Sequence, residues 1–188
     1  MKALVVLAHP DKNSFNYEIF RRVLNALKNE GVELLVHDLY EEDFNPVFTR
    51  QDLDQRQEDI IPYINNLLAT DVIIVIHPNW WGQPPAILKG WVDRVFREGE
   101  IYTVNKGKME GKLLNKKALI INTSNVSNEI DRELFGEPIF RFWKYNVFQP
   151  SGINEIKRIN FDQIIISSDE QRKAWLDTID EQIIALIK

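Results

Sequence analysis

The stretch that decides the fold is VIIVIHPNWWGQPPAILKGWVDRVF, Val72 to Phe96. Val72 to Ile76 are all β-branched and run without a polar break until His77. A strand with one wet face alternates apolar and polar residues, whereas an unbroken run implies burial on both faces. Such strands belong to parallel sheets with helices packed on either side. The helix that this requires follows at once, over Pro85 to Arg97.

The same grammar repeats along the chain. KALVVLA (Lys2 to Ala8) and KKALIIN (Lys116 to Asn122) are further short apolar runs, VELLVHDL (Val32 to Leu39) is another strand, and Ile153 to Phe161 a fifth. Between them lie helical patterns. Ile19, Phe20, Val23, Leu24 and Leu27 recur at helical spacing within Phe15 to Lys28. QEDIIPYINNLLAT (Gln57 to Thr70) is a helix, and a further one lies within Pro138 to Phe148. A last helix, with Ser168 as its N-cap, runs to the end of the chain. Five strands alternating with helices predict an α/β, flavodoxin-like fold: a five-stranded parallel sheet of order 2-1-3-4-5 with helices on both faces.

Bulk properties narrow the function. A chain of 188 residues suits one domain, 1–188, with a sizeable core. Hydrophobic residues at 44% and charged residues at 27% give the balance of a water-soluble protein. A net charge of −5 without a basic block argues against nucleic acid as a main partner. The absence of cysteine excludes disulfides, thiolate metal sites and cysteine nucleophiles, and fits a reducing cytoplasm. No apolar run approaches the roughly 18 residues of a membrane span. The start, MKALVVLAHPDKN, lacks a signal-peptide cleavage site and reads as the first strand.

In open parallel sheets, ligands bind outside the carboxyl ends of the strands. Three loops meet there: HPDKNSFN (His9 to Asn16), HPNWWGQP (His77 to Pro84) and NTSNVSNE (Asn122 to Glu129). The first has no glycine, so both the dinucleotide fingerprint and the P-loop are missing. A helix N-terminus near Asn16 still offers N–H groups and a positive dipole end for a phosphate, with Ser14, Asn16 and His9 adding donors. Ser14 and Asn16 equally suit plain helix capping. Trp80 and Trp81, stiffened by Gly82, Pro84 and Pro85, form either a wall for a planar ring or satellite packing under the next helix. Asn122, Thr123, Ser124 and Asn125 suit a ring edge or ordinary turn chemistry. His9, His37 and His77 lack metal-ligand spacing, so no metal is expected, and no serine lies in a G-x-S-x-G elbow.

The segments LAHPDKNSFN, DLYEEDFNPVFTRQD and PNWWGQPPAILKGWVDRVFREGEIYT together resemble the flavodoxin-like NAD(P)H:quinone oxidoreductases, the group of the animal quinone reductases and bacterial drug-activity modulators. The resemblance covers most of the chain. It implies a flavin (FAD, with FMN also possible) that takes hydride from NAD(P)H and passes two electrons to a quinone-like acceptor. It implies that His9, Ser14, Phe15 and Asn16 hold the flavin phosphates, that Pro78, Asn79, Trp80 and Trp81 line the flavin ring, and that Asn122, Thr123, Ser124 and Asn125 meet its polar side. It further implies a homodimer in which Tyr102 reaches the neighbour's pocket. Some relatives are instead ancillary subunits of potassium-efflux systems, which is the alternative role. The animal enzymes carry a glycine pair after strand four, then a tyrosine and a histidine linked to hydride transfer. NTSNVSNEIDRELFG has none of these, so no residue here inherits those catalytic roles.

Overall fold

The computed structural model describes residues 1–188. Its strands are β1 (Lys2–Leu7), β2 (Glu33–Asp38), β3 (Val72–Pro78), β4 (Tyr102–Asn105), β5 (Lys108–Gly111), β6 (Lys117–Thr123) and β7 (Glu155–Phe161). Five of them form one parallel sheet in the order β2-β1-β3-β6-β7. The numbering departs from the expected 2-1-3-4-5 because an antiparallel hairpin, β4–β5, is inserted before β6. The sequence reading placed no element between Arg97 and Lys116. The hairpin's signal is Lys106-Gly107, where both residues take positive φ, as a type I′ turn requires.

Burial explains the composition of each strand. All seven residues of β3 are buried, as are all but the first of β1 and β6. The edge strands β2 and β7 keep one side partly wet and accordingly carry Glu33, Glu155 and Lys157. Alternate residues serve opposite faces. Ala3, Val5 and Leu7 pack under α1 (Phe15–Asn29) and, later in the chain, a C-terminal helix. Leu4, Val6 and Ala8 face the other core, built with the helices that follow β2 and β3. Each fully buried Val, Leu or Ile contributes about 1.5–3 kcal/mol by leaving water.

The remaining helices are α2 (Arg50–Asp54), α3 (Ile61–Ala69), α4 (Ala86–Val95), α5 (Asn128–Glu133), α6 (Pro138–Arg141) and α7 (Asp169–Ile187). The segment expected as one helix within Pro138 to Phe148 changes from α to a π-helix over Phe142–Phe148. The wider turn carries Trp143 and Phe148, both fully buried and stacked at 5.2 Å between ring centroids. Ser168 caps α7 as expected, accepting from the Gln171 N–H at 3.2 Å. No helix is long and apolar enough to cross a membrane.

The helix after the double tryptophan is fixed from the far side by charge. Buried Arg94 projects from α4 into a clasp with buried Asp52 at 3.2 Å, half-exposed Asp59 at 2.7 Å and the Asn45 carbonyl at 2.9 Å. Burial would raise the Asp52 pKa, but hydrogen bonds from Thr49 and Arg94 outweigh it and hold the carboxyl below its ordinary value. From sequence, Lys89, Trp91, Asp93 and Arg94 read together as packing and helix-surface residues; the burial of Arg94 shows it to be an anchor. Next to it, Gly90 lies against the chain leaving β2, where an added Cβ would collide with the Pro46 carbonyl oxygen and ring. Substituting Gly90→Ala is expected to cost about 1–3 kcal/mol by overpacking, read as a lower denaturation midpoint at unchanged m-value.

Candidate functional site

Two clefts open side by side at the carboxyl edge of the sheet. The first, about 350 Å³, lies between the start of α1, the loop after β3 and the loop after β6. The second, about 730 Å³, lies between the Trp81 turn, the loop after β6 and the segment between α5 and α6. They share Asn79, Ser124 and Asn125, so they are two halves of one depression.

The first cleft gathers ten residues expected at the site: His9, Ser14, Phe15, Asn16, Pro78, Asn79, Trp80, Thr123, Ser124 and Asn125. At α1, the capping reading of Ser14 holds. Its hydroxyl oxygen caps the helix, accepting from the Tyr17 N–H at 3.4 Å. The hydroxyl hydrogen stays available to a ligand. Asn16 is not a cap. It is buried, and its Nδ2 donates to Thr123 Oγ1 at 2.9 Å across the cleft floor. Its Oδ1 is buried without any partner. Such an orphaned acceptor is costly unless something donates to it. His9 Nδ1 lies 3.1 Å from both the N–H and the carbonyl oxygen of Asp11, which fixes the ring at the cleft and leaves Nε2 without a protein partner. Burial holds the His9 pKa below its ordinary value despite Asp11.

Arg172 is the cleft residue that sequence reasoning missed. It reaches back from α7, donating to Ser167 Oγ and the Ile164 carbonyl, each at 2.9 Å, with its guanidinium over the Phe15 ring. It is the one permanently charged side chain lining this cleft. Nothing local in SSDEQRKAWL marks Arg172, because its role comes from α7 packing beside α1.

Three expected residues are not brought to the first cleft. Asn122 is wholly buried beneath it, donating from Nδ2 to Asn160 Oδ1 at 2.5 Å and accepting from Arg158 Nε at 2.8 Å. It belongs to the sheet rather than the loop, because β6 runs one residue beyond it. Tyr102 lies on β4, far along the surface beside Phe96 and Asp93. Trp81 turns away from Trp80 and lines the second cleft instead. The cause is the turn itself. The Trp80 and Gln83 backbones exchange two hydrogen bonds at 3.1 Å, and Trp81 and Gly82 between them both take positive φ, at 57° and 75°. That pattern suits Asn-Gly; a tryptophan there is strained and fully exposed. The Asn79 side chain holds the turn, with Oδ1 accepting from the Gly82 N–H at 2.9 Å and Nδ2 donating to Ser124 Oγ at 3.2 Å. The second cleft adds Leu134, Phe135 and Pro138 to Trp81, and none of its lining residues is titratable.

His77 does not reach either cleft. Trp143 Nε1 donates to its Nε2 at 3.0 Å, so Nδ1 carries the proton and donates to the Pro78 carbonyl at 2.8 Å. Both ring nitrogens serve to lock the exit of β3.

The fold matches known proteins. The family model of the flavodoxin-like fold matches residues 1–183. An uncharacterized NAD(P)H oxidoreductase of Haemophilus influenzae is 30% identical over 94% of this chain and 91% of its own length. The chain belongs to the flavodoxin-like NAD(P)H oxidoreductase family. Within that family, NAD(P)H dehydrogenase [quinone] 1 of Rattus norvegicus is 33% identical over 69% of this chain, which spans 55% of the rat protein. Among solved structures, Smu.1420 of Streptococcus mutans superposes with a TM-score of 0.89 at 32% identity, covering 97% of this chain and 98% of its own. An FMN-dependent NADH-azoreductase of Bacillus anthracis, solved with FMN, shares the fold at a TM-score of 0.82 and 16% identity, covering 100% and 99%.

Burial pushes the His77 pKa from 6.5 down to about 4, with the Pro78 carbonyl opposing and Arg158 adding to the shift. Between those values the unfolded chain binds a proton that the folded chain refuses. Stability therefore falls as pH drops through this window, by about 3 kcal/mol in all, and is retained above it. Urea midpoints measured from pH 7.5 to 4.5 are expected to show this loss in the wild type and a flatter profile in His77→Gln.

Proposed function

We propose that the protein, as a single domain over residues 1–188, is a flavin-dependent NAD(P)H:quinone oxidoreductase that transfers two electrons from NAD(P)H to a quinone-like acceptor. The observation that carries this reading is the pairing of the two clefts. One is polar, with a helix N-terminus, an arginine and an orphaned acceptor; the other is apolar, aromatic and adjoining.

The residues fit a flavin. The open N–H groups of the first turn of α1, the Ser14 hydroxyl, His9 and Arg172 form a donor set for phosphate. Asn16 Oδ1 suits a hydroxyl or ring N–H, and a flavin carries both. Asn79, Ser124 and Asn125, at the junction of the clefts, would receive the polar edge of the ring, with Pro78 and Trp80 along its side. Of the two flavins, the resemblance pointed first to FAD; the azoreductase neighbour solved with FMN supports FMN instead. A bound flavin supplies reversible acceptance and release of two electrons.

The chain's own groups would do the rest. Trp81, Leu134 and Phe135 present exposed apolar surface that would favour a flat, uncharged acceptor over an ionic one. Asn79, Gln83 and Ser124 offer hydrogen bonds to acceptor oxygens. Tyr102 supports the homodimer reading from its place at the start of β4. It lies on a face with exposed Val47, Phe48, Leu53, Val104 and Met109, from which a second copy would present it to its partner's clefts. Sedimentation would check the dimer.

Purified protein is expected to bind flavin, seen in its visible spectrum and identified by mass spectrometry as FMN; a protein that takes up neither FMN nor FAD refutes the proposal. Trp80→Ala is expected to weaken flavin binding about tenfold or more, since stacking on an aromatic ring is worth about 1–3 kcal/mol. Trp81→Ala is expected to raise the acceptor KM with a smaller effect on flavin affinity, measured by titration and steady-state kinetics.

A further inference from the structure

The outer wall of the second cleft is held in an unusual way. α5 has six residues, too few to be stable alone. Its one buried residue is Asp131, a carboxylate. Its apolar residue Ile130, and Leu134 and Phe135 just beyond it, are all exposed. Hydrophobic burial therefore does not fix this segment to the sheet.

A charge does. Arg158 of β7 and Asp131 are both almost wholly buried, with Arg158 Nη1 donating to Asp131 Oδ2 at 2.7 Å. Arg158 Nε is meanwhile held by Asn122 Oδ1 of β6 at 2.8 Å, and Glu137, at the start of α6, lies 3.8 Å away. Asp131 in turn closes the loop, its carbonyl accepting from the Glu137 N–H at 2.8 Å. One guanidinium thus ties the sheet to both ends of the loop that carries Leu134 and Phe135. The pair is not fully satisfied: Asp131 Oδ1 and Arg158 Nη2 are buried without partners. A buried ion pair of this kind adds little net stability, yet losing one partner strands the other. That is the behaviour of a device for placement.

We propose that Arg158 and Asp131 are positioning residues that hold the Leu134–Phe135 wall of the second cleft and so set the fit of the acceptor. The proposal rests on reading that cleft as the acceptor site. Neither residue lines a cleft; both act through the wall.

Hydrogen exchange on wild type and Asp131→Ala, without added flavin, tests the tie. Amides of 128–137 are expected to exchange about tenfold faster or more in the variant, with β1, β3 and β6 unchanged. Equal protection of 128–137 in both proteins overturns the proposal. The flavin-loaded proteins give the second readout, using 1,4-naphthoquinone as acceptor. Asp131→Ala is expected to raise its KM about tenfold while kcat and flavin affinity stay within about twofold. Arg158→Lys, which keeps a cation, recovers part of the KM that Arg158→Met loses. Flavin affinity falling in step with the acceptor KM marks a general structural role and overturns the proposal. If the alanine variant does not fold, Asp131→Asn keeps the shape without the charge and carries the same comparisons. A wild type that binds no flavin sinks the acceptor assignment, while the exchange comparison still decides the tie.

Discussion

β3 is hydrogen-bonded on both sides, and that double pairing sets the level at which every loop leaves the sheet. Its register pairs Ile76 with Leu7 on one side and Ile121 on the other. The ladder runs on past the strands: the Ala8 N–H donates to the Ile76 carbonyl, the Asn79 N–H to Thr123, and the Ser124 N–H to Phe161. Three loops thereby start at one height, and the small polar side chains of each face those of the next. A slip of one residue in β3 would turn its apolar side chains to the opposite faces and carry the tryptophan turn away from Asn16 and Thr123.

Beneath that edge the core turns polar. His77, Asn122, Arg158 and Asp131 replace the apolar residues found lower in the same layers, and each is buried. Isolated, any of them would destabilise the fold by the loss of hydration. Linked, they turn strand ends into fixed mounts. The hydrophobic effect is non-directional and cannot choose among loop geometries; hydrogen bonds and ion pairs can. The sheet's apolar middle and polar rim thus divide the work between cohesion and aim.

This division also explains what was legible in the sequence. Val72 to Ile76 and Lys2 to Ala8 announce a buried parallel sheet because burial on both faces dictates composition residue by residue. Ser14 and Ser168 announce helix starts because capping is local. The converging loops could be found because topology places them at one edge. Arg172, Arg158 and Arg94 could not, since a lone arginine reads as solvated surface until the fold brings it a partner distant in sequence. The split of Trp80 from Trp81 was hidden for a different reason: it depends on the sign of one φ angle, at a residue whose type argues for the other sign.

That exposed indole has an optical consequence. Of the five tryptophans, Trp91 and Trp143 are fully buried, whereas Trp81 is as exposed as an unfolded residue. Its emission falls at the red, water-relaxed end of the spectrum and is open to collision with whatever enters the cleft. The buried pair emit from a fixed setting closed to water and serve as the internal reference. The protein thus carries its own two-colour gauge of occupancy, with the sensing element already at the cleft mouth and the reference sealed in the core.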